Sequence, residues 1–153
     1  MKLSLRGEYA LRALVVLGLN YHKPVVRIQT ISEQQNIPKR FLEQILNELR
    51  SAGVVESKRG VAGGYRLALP AEQVTLARVI RHIDGALAPV RCVSERFYEK
   101  CSCPDEGTCG IRSVMKEVHD AVVRIAERVT IADLCDRSRK LQQEPLNPFD
   151  FVI

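Results

Sequence analysis

No apolar run in this 153-residue sequence reaches the roughly 18 residues a membrane-spanning helix needs, which excludes a helical membrane protein. The start, MKLSLRGEYALRALVVLGL, is basic and then apolar. Arg6, Glu8 and Arg12 interrupt it, and no small-residue cleavage site follows, so it does not read as a signal peptide and the cytoplasm is the expected compartment. Internal repeats and low-complexity tracts are missing. No nucleophile stands with a base, and no glycine loop has the spacing or the strand–loop–helix setting of a nucleotide site, so no enzymatic activity is expected. His22, His82 and His119 lack ligand spacing and read as surface or packing residues.

What is present is ordinary in amount and uneven in placement. With 46% apolar and 27% charged residues, the chain suits one soluble domain, or one domain with an extended arm. The net charge is +5. Residues 1–70 hold 11 Lys/Arg against 5 Asp/Glu, a balance of +6, and residues 71–153 hold 12 against 13, a balance of −1. The excess positive charge therefore lies in the N-terminal half, where it suggests a polyanion surface.

Hydrophobic periodicity predicts a buried helix over 5–20, apolar on nearly all sides, which Lys23 and Pro24 break. A short helix follows over 27–36, with Ile28 and Ile31 inward and Asn36 at its end. The clearest helix spans 38–51. Pro38 suits its first turn, Phe41, Leu42, Ile45, Leu46 and Leu49 recur at three- and four-residue spacing, and Gly53 ends it. Val54 to Lys58, a turn over RGVAGG and Tyr65 to Leu69 read as a hairpin that Pro70 closes. A further short helix covers 74–84. Residues 86–108 look irregular. A long helix follows over 109–129, and Thr130 and Asp133 resemble a capping box opening a helix over 131–140.

The expected fold class is mainly α with a small β-hairpin: a winged helix-turn-helix plus a long dimerisation helix. The divisions are 1–84 for the winged domain, 85–108 for a cysteine-rich sensor loop, 109–140 for the dimerisation helices and 141–153 for a flexible tail. In the long helix, Ile111, Met115, Val118, Val122, Ile125 and Val129 form a stripe with coiled-coil spacing. It can bury itself on the N-terminal domain or on a second copy. The second is expected, because that domain is small.

In a helix-turn-helix the start of the second helix meets base edges in the major groove. Here that start offers Lys39, Arg40, Glu43 and Gln44. Arg and Lys suit guanine, Gln suits adenine and Glu accepts from cytosine. Arg59, at the tip of the glycine-rich ribbon, suits a minor groove. A double-stranded DNA operator is thus the expected partner.

Five cysteines are present, and four of them, Cys92, Cys101, Cys103 and Cys109, fall within 18 residues. An odd number without a secretion signal disfavours a disulfide framework. An iron–sulfur cluster, a zinc ion and a thiol switch all stay open. Cys135 lies on a helix and reads as a small core residue.

The segments MKLSLRGEYALRAL, IPKRFLEQILNELRSAGVVES, KRGVAGGYRLA, RCVSERFYEKCSCPDEGTCGIRSV and TIADL together resemble the Rrf-two family of bacterial winged-helix regulators over roughly residues 1–135. The resemblance implies a homodimer with crossed long helices, DNA reading by the 38–51 helix and the ribbon, and a cofactor in the cysteine loop. Cluster-binding members space three cysteines with five residues in each gap. Cys103 and Cys109 keep that gap, whereas ten residues separate Cys92 from Cys103 and eight separate it from Cys101. The implied cofactor is an iron–sulfur cluster of two or four irons, held by Cys92, Cys103 and Cys109. The family's ligating histidine corresponds to Arg112, which stays protonated and cannot ligate. Glu8, matching an acidic position used in some members, or Cys101 would complete the shell. The implied function is a regulator sensing cluster status, redox state or nitric oxide. The alternative is a zinc or thiol protein whose winged domain makes protein contacts.

Overall fold

The computed structural model describes residues 3–144. It contains six α-helices and one two-stranded antiparallel hairpin. Helix α1 spans Leu5–Leu19, α2 Ile28–Gln35, α3 Lys39–Ser51, α4 Leu76–Ile83, α5 Gly110–Arg128 and α6 Ile131–Gln143. Strands β1 (Val55–Lys58) and β2 (Gly64–Leu67) pair with Val55 opposite Leu67 and Lys58 opposite Gly64. Short 3₁₀ turns occupy Ala71–Gln73 and Arg91–Val93.

Local chemistry sets most boundaries. The Ser4 hydroxyl caps α1 by accepting from the Gly7 amide at 3.0 Å. Asn36 ends α2 in the left-handed region at φ 50°, a conformation asparagine tolerates better than most residues. Gly53 follows α3 at φ 67°, where glycine carries no Cβ penalty. Pro38 stands one residue before α3, as its cap, rather than inside the first turn. Thr130 and Asp133 form a capping box, with Asp133 accepting from the Thr130 amide at 2.8 Å and Thr130 accepting from the Asp133 amide at 3.2 Å. Helix α6 runs three residues beyond the expected end at 140. The rest of the expected tail, residues 145–153, lies outside the described residues.

One core joins α1, α2, α3, the hairpin and α6. Ala13, Leu14 and Leu17 of α1 meet Ile31, Leu42, Ile45, Leu46, Leu49, Val54, Val55, Ile131 and Cys135. Cys135 is therefore the small core residue expected from its place on a helix. Phe41 departs from the expected inward stripe and is 53% exposed. Leu42 and Ile45 already fill the inward face, and Phe41 lies a full helical step from Leu42.

A second, smaller cluster holds α5 to α4 through Ala77, Ile80, Leu87 and Ala126, with Val122 and Val123 at its edge. The junction of α5 and α6 is tied to the start of α4. The Leu76 amide donates to Val129 at 2.8 Å and the Ile131 amide to Val74 at 2.9 Å. At the other end of α4, Asp84 accepts from the Ser4 amide at 2.9 Å and from its hydroxyl.

Candidate nucleic-acid interface and thiol site

Helix α3 turns its apolar stripe into the core, which leaves Lys39, Arg40, Glu43 and Gln44 exposed together on its outer side. Phe41 is exposed beside them. Arg59 sits on the turn of the hairpin, exposed, with Val61 beyond it 98% exposed. The five side chains expected to touch DNA thus come from two protruding elements.

Three basic residues that the sequence pattern did not single out join them. Arg27, Arg50 and Lys58 line a groove with Arg59 between the hairpin and the start of α2. Its closure depends on an extra backbone pair: the Val26 amide donates to Tyr65 and the Tyr65 amide to Val26, each at 2.8 Å. Gly64 permits this approach. An added Cβ would sit 2.8 Å from the Val26 carbonyl carbon and 3.2 Å from the Arg27 nitrogen. Arg27 and Arg50 are 23 residues apart in sequence, so no linear motif joins them.

The cysteine loop brings two of its four thiols, Cys103 and Cys109, into contact. Cys101 raises the thiols of both Cys92 and Cys103, and the Cys103 and Cys109 sulfurs are 3.8 Å apart. That spacing is the edge of a tetrahedron with metal–sulfur bonds of about 2.3 Å. Among the described residues, no three or more Cys, His, Asp or Glu groups are placed so as to hold a metal ion. Thiols are the donor type that an iron–sulfur cluster or zinc takes, but the loop as it stands does not gather three of them around one point.

The thiols are unequal. Hydrogen bonding to the Cys101 and Cys109 thiols pushes Cys103 up to about 12, and burial, then Cys101, raises Cys92. Cys109 caps α5. Its sulfur accepts from the Arg112 amide at 3.4 Å, and that bond holds its thiol below the usual value. Arg112 also donates from Nε to the Cys92 carbonyl at 3.1 Å. The residue in the family's histidine position thus braces both ends of the loop.

Glu106, which the sequence pattern did not single out, touches this site. It accepts from the Cys101 amide at 2.9 Å and from the Tyr98 hydroxyl at 2.7 Å, and these bonds, the amide first, lower its carboxyl. Glu8 is elsewhere, on α1, accepting from Arg12 at 3.1 Å. Of the histidines, His119 is buried in α5, with no hydrogen-bond partner for its Nδ1. The Nε2 of exposed His82 lies 3.1 Å from the Glu48 carbonyl.

Helix α5 has two apolar stripes. Val122, Val123 and Ala126 face α4. Ile111, Val114, Val118 and Ile125 are 72%, 54%, 43% and 54% exposed within the single chain. Packing on the N-terminal domain therefore uses only part of the helix's apolar surface.

The chain matches the Rrf2 family, described as "Iron-dependent Transcriptional regulator", over residues 3–137. The chain belongs to the Rrf2 family. It is 39% identical over 131 residues to an rrf2-like HTH-type transcriptional regulator of Rhodobacter capsulatus, covering 83% of this chain and 87% of that protein. It is 28% identical over 153 residues to the HTH-type transcriptional regulator IscR of Vibrio atlanticus, covering 100% of this chain and 86% of that one. The solved structure of CymR, the global cysteine regulator of B. subtilis, superposes with a TM-score of 0.76 at 27% identity, covering 90% of this chain and 98% of that one. The winged helix-turn-helix architecture is therefore that of the Rrf2 regulators, and these relatives are transcriptional regulators rather than enzymes. Among the described residues no helix is long and apolar enough to cross a membrane.

Proposed function

We propose that this Rrf2-family regulator works in the cytoplasm as a homodimer that reads a two-fold symmetric DNA operator and holds an iron–sulfur cluster in its cysteine loop. Lys39, Arg40, Glu43 and Gln44 meet base edges, and Arg59 enters the minor groove. The outer stripe of α5 packs on its copy in the partner. Cys92, Cys103 and Cys109 hold the cluster, and Cys101 or Glu8 of the partner subunit completes the shell. The winged domain, the loop of 85–108 and the helices beyond it divide these tasks.

The observation that carries the sensor reading is the Cys103–Cys109 sulfur pair in a loop of four cysteines, with Cys92 tied to Arg112 on the first turn of α5. Thiolates are the donors that iron–sulfur clusters take. When bound, the cluster supplies a centre that responds to oxidation, iron supply or nitric oxide. This chain's own residues relay its presence. Drawing Cys92 and Cys109 together pulls on Arg112, hence on α5, and α5 packs on α4 of the DNA-binding half. Two loop states of different operator affinity make a switch.

Anaerobic reconstitution followed by absorbance and iron and sulfide analysis tests the reading. A brown protein with both elements supports it, and a protein without iron or sulfide ends the cluster proposal. A second reading rests on the Cys103 and Cys109 sulfurs at 3.8 Å: a thiol–disulfide switch or a colourless zinc site, with the winged domain used for protein contacts. Salt-dependent binding to duplex DNA separates the two uses of that domain.

A further inference from the structure

We propose that the groove between the hairpin and the start of α2 seats one backbone phosphate of the operator, with Arg27 and Arg50 as its clamps. This rests on the DNA reading of α3 and Arg59 given above.

The groove has a volume of about 410 Å³, and its lining includes Arg27, Arg50, Lys58 and Arg59 but no aspartate or glutamate. Among the described residues, none of these four cations is in an ion pair. Four like charges gathered in one cleft repel one another, and a polyanion offsets that repulsion. Arg50 is already oriented. Its Nη1 donates to the Ser57 hydroxyl at 3.2 Å, so the rest of its planar fork stays available for a two-point bond to an oxyanion. The first turn of α2 has no side-chain cap at Arg27, and Arg27, Ile28 and Gln29 belong to the groove's lining.

The position of the groove selects the source of the phosphate. Helix α3 is assigned to the major groove and Arg59 to the minor groove. A sugar–phosphate strand always separates those two grooves in a duplex. That strand must cross between α3 and the hairpin tip, and the groove opens beside that path, with Arg50 of α3 and Arg59 of the tip both in its lining. The paired backbones of Val26 and Tyr65 fix its wall, so the seat exists before DNA arrives and little ordering is left to be done on binding.

Fluorescence anisotropy on an operator selected from random duplexes provides the test. Arg27→Ala and Arg50→Ala are each expected to weaken binding about tenfold, the usual weight of a charged hydrogen bond. The two together should lower the salt slope by about 1, the weight of the single phosphate they share, and each should leave base preference unchanged. Arg50→Lys should keep most of the salt slope. Neutral methylphosphonates placed one at a time should then identify a position, between those facing α3 and Arg59, that weakens the wild type but not Arg50→Ala.

Equal losses for both proteins at every position would overturn the seat. So would displacement of wild-type protein from DNA by inorganic phosphate, but not by chloride of matched ionic strength, because the groove would then hold a free anion. If the wild type binds no duplex in a salt-dependent way, the DNA reading of α3 fails, a separate and recognisable outcome. Circular dichroism checks that the exposed substitutions leave the fold intact.

Discussion

Replacing Gly64 with alanine should part the hairpin from the start of α2. The added Cβ meets backbone, not a side chain that can rotate away: 2.8 Å from the Val26 carbonyl carbon and 3.2 Å from the Arg27 nitrogen. Relief comes from moving the strand, which breaks the two hydrogen bonds between Val26 and Tyr65, each 2.8 Å long. At about 1 kcal/mol per bond the loss is about 2 kcal/mol. Alanine in a strand recovers about 0.5–1 kcal/mol of backbone entropy. The net cost is then about 1–1.5 kcal/mol. Gly110→Ala is the matched control. Nothing lies within 4 Å of its added Cβ, so the same change at the start of α5 should stabilise by about 0.5 kcal/mol. Urea unfolding followed by circular dichroism at one fixed protein concentration reads both, as opposite shifts of midpoint at unchanged slope. Wild-type stability for Gly64→Ala, or shifts of the same sign for both variants, would refute the packing argument.

Arg40→Ala should cost roughly 1–3 kcal/mol of operator affinity through a guanine contact, and Arg59→Ala should weaken binding as well. Unchanged band shifts after both substitutions would remove these residues from the interface. Val118→Asp with Ile125→Asp should yield a folded monomer by sedimentation, because unpaired charge is not tolerated in a buried seam; a stable dimer would contradict the seam. The pair avoids Val122, whose packing against α4 would confound the result. Cys103→Ala should strip or deplete the reconstituted chromophore while Cys135→Ala leaves it, and equal absorbance from both would displace Cys103 from the site.

Elements bounded by strong local chemistry were legible in the sequence. Proline, asparagine and glycine bracketed α2 and α3, and the Thr130–Asp133 box announced α6. The exposed arc of Lys39, Arg40, Glu43 and Gln44 followed from periodicity alone. Phe41 was misjudged because apolar spacing by itself does not tell a core face from its shoulder. Arg27 and Arg50 were missed because their meeting depends on a bridge between residues 26 and 65. Glu106 was hidden differently. It stands among the cysteines, but only the folded loop turns its carboxylate onto the Cys101 amide and the Tyr98 hydroxyl.

Helix α5 carries a thiol cap at its first turn and is pinned beside α4 at its last. Its 19 residues make a rod about 28 Å long at 1.5 Å per residue. The far-end pin, where Leu76 and Ile131 hold the chain on either side of the α5–α6 junction, lies a full rod length from the Cys109 cap. A tilt of about 5° around it would carry the Cys109 end some 2–3 Å, by the length of the rod. A displacement of that size at the cysteine loop thus corresponds to a tilt of only a few degrees in α5, which packs on α4 of the winged domain through Ala126.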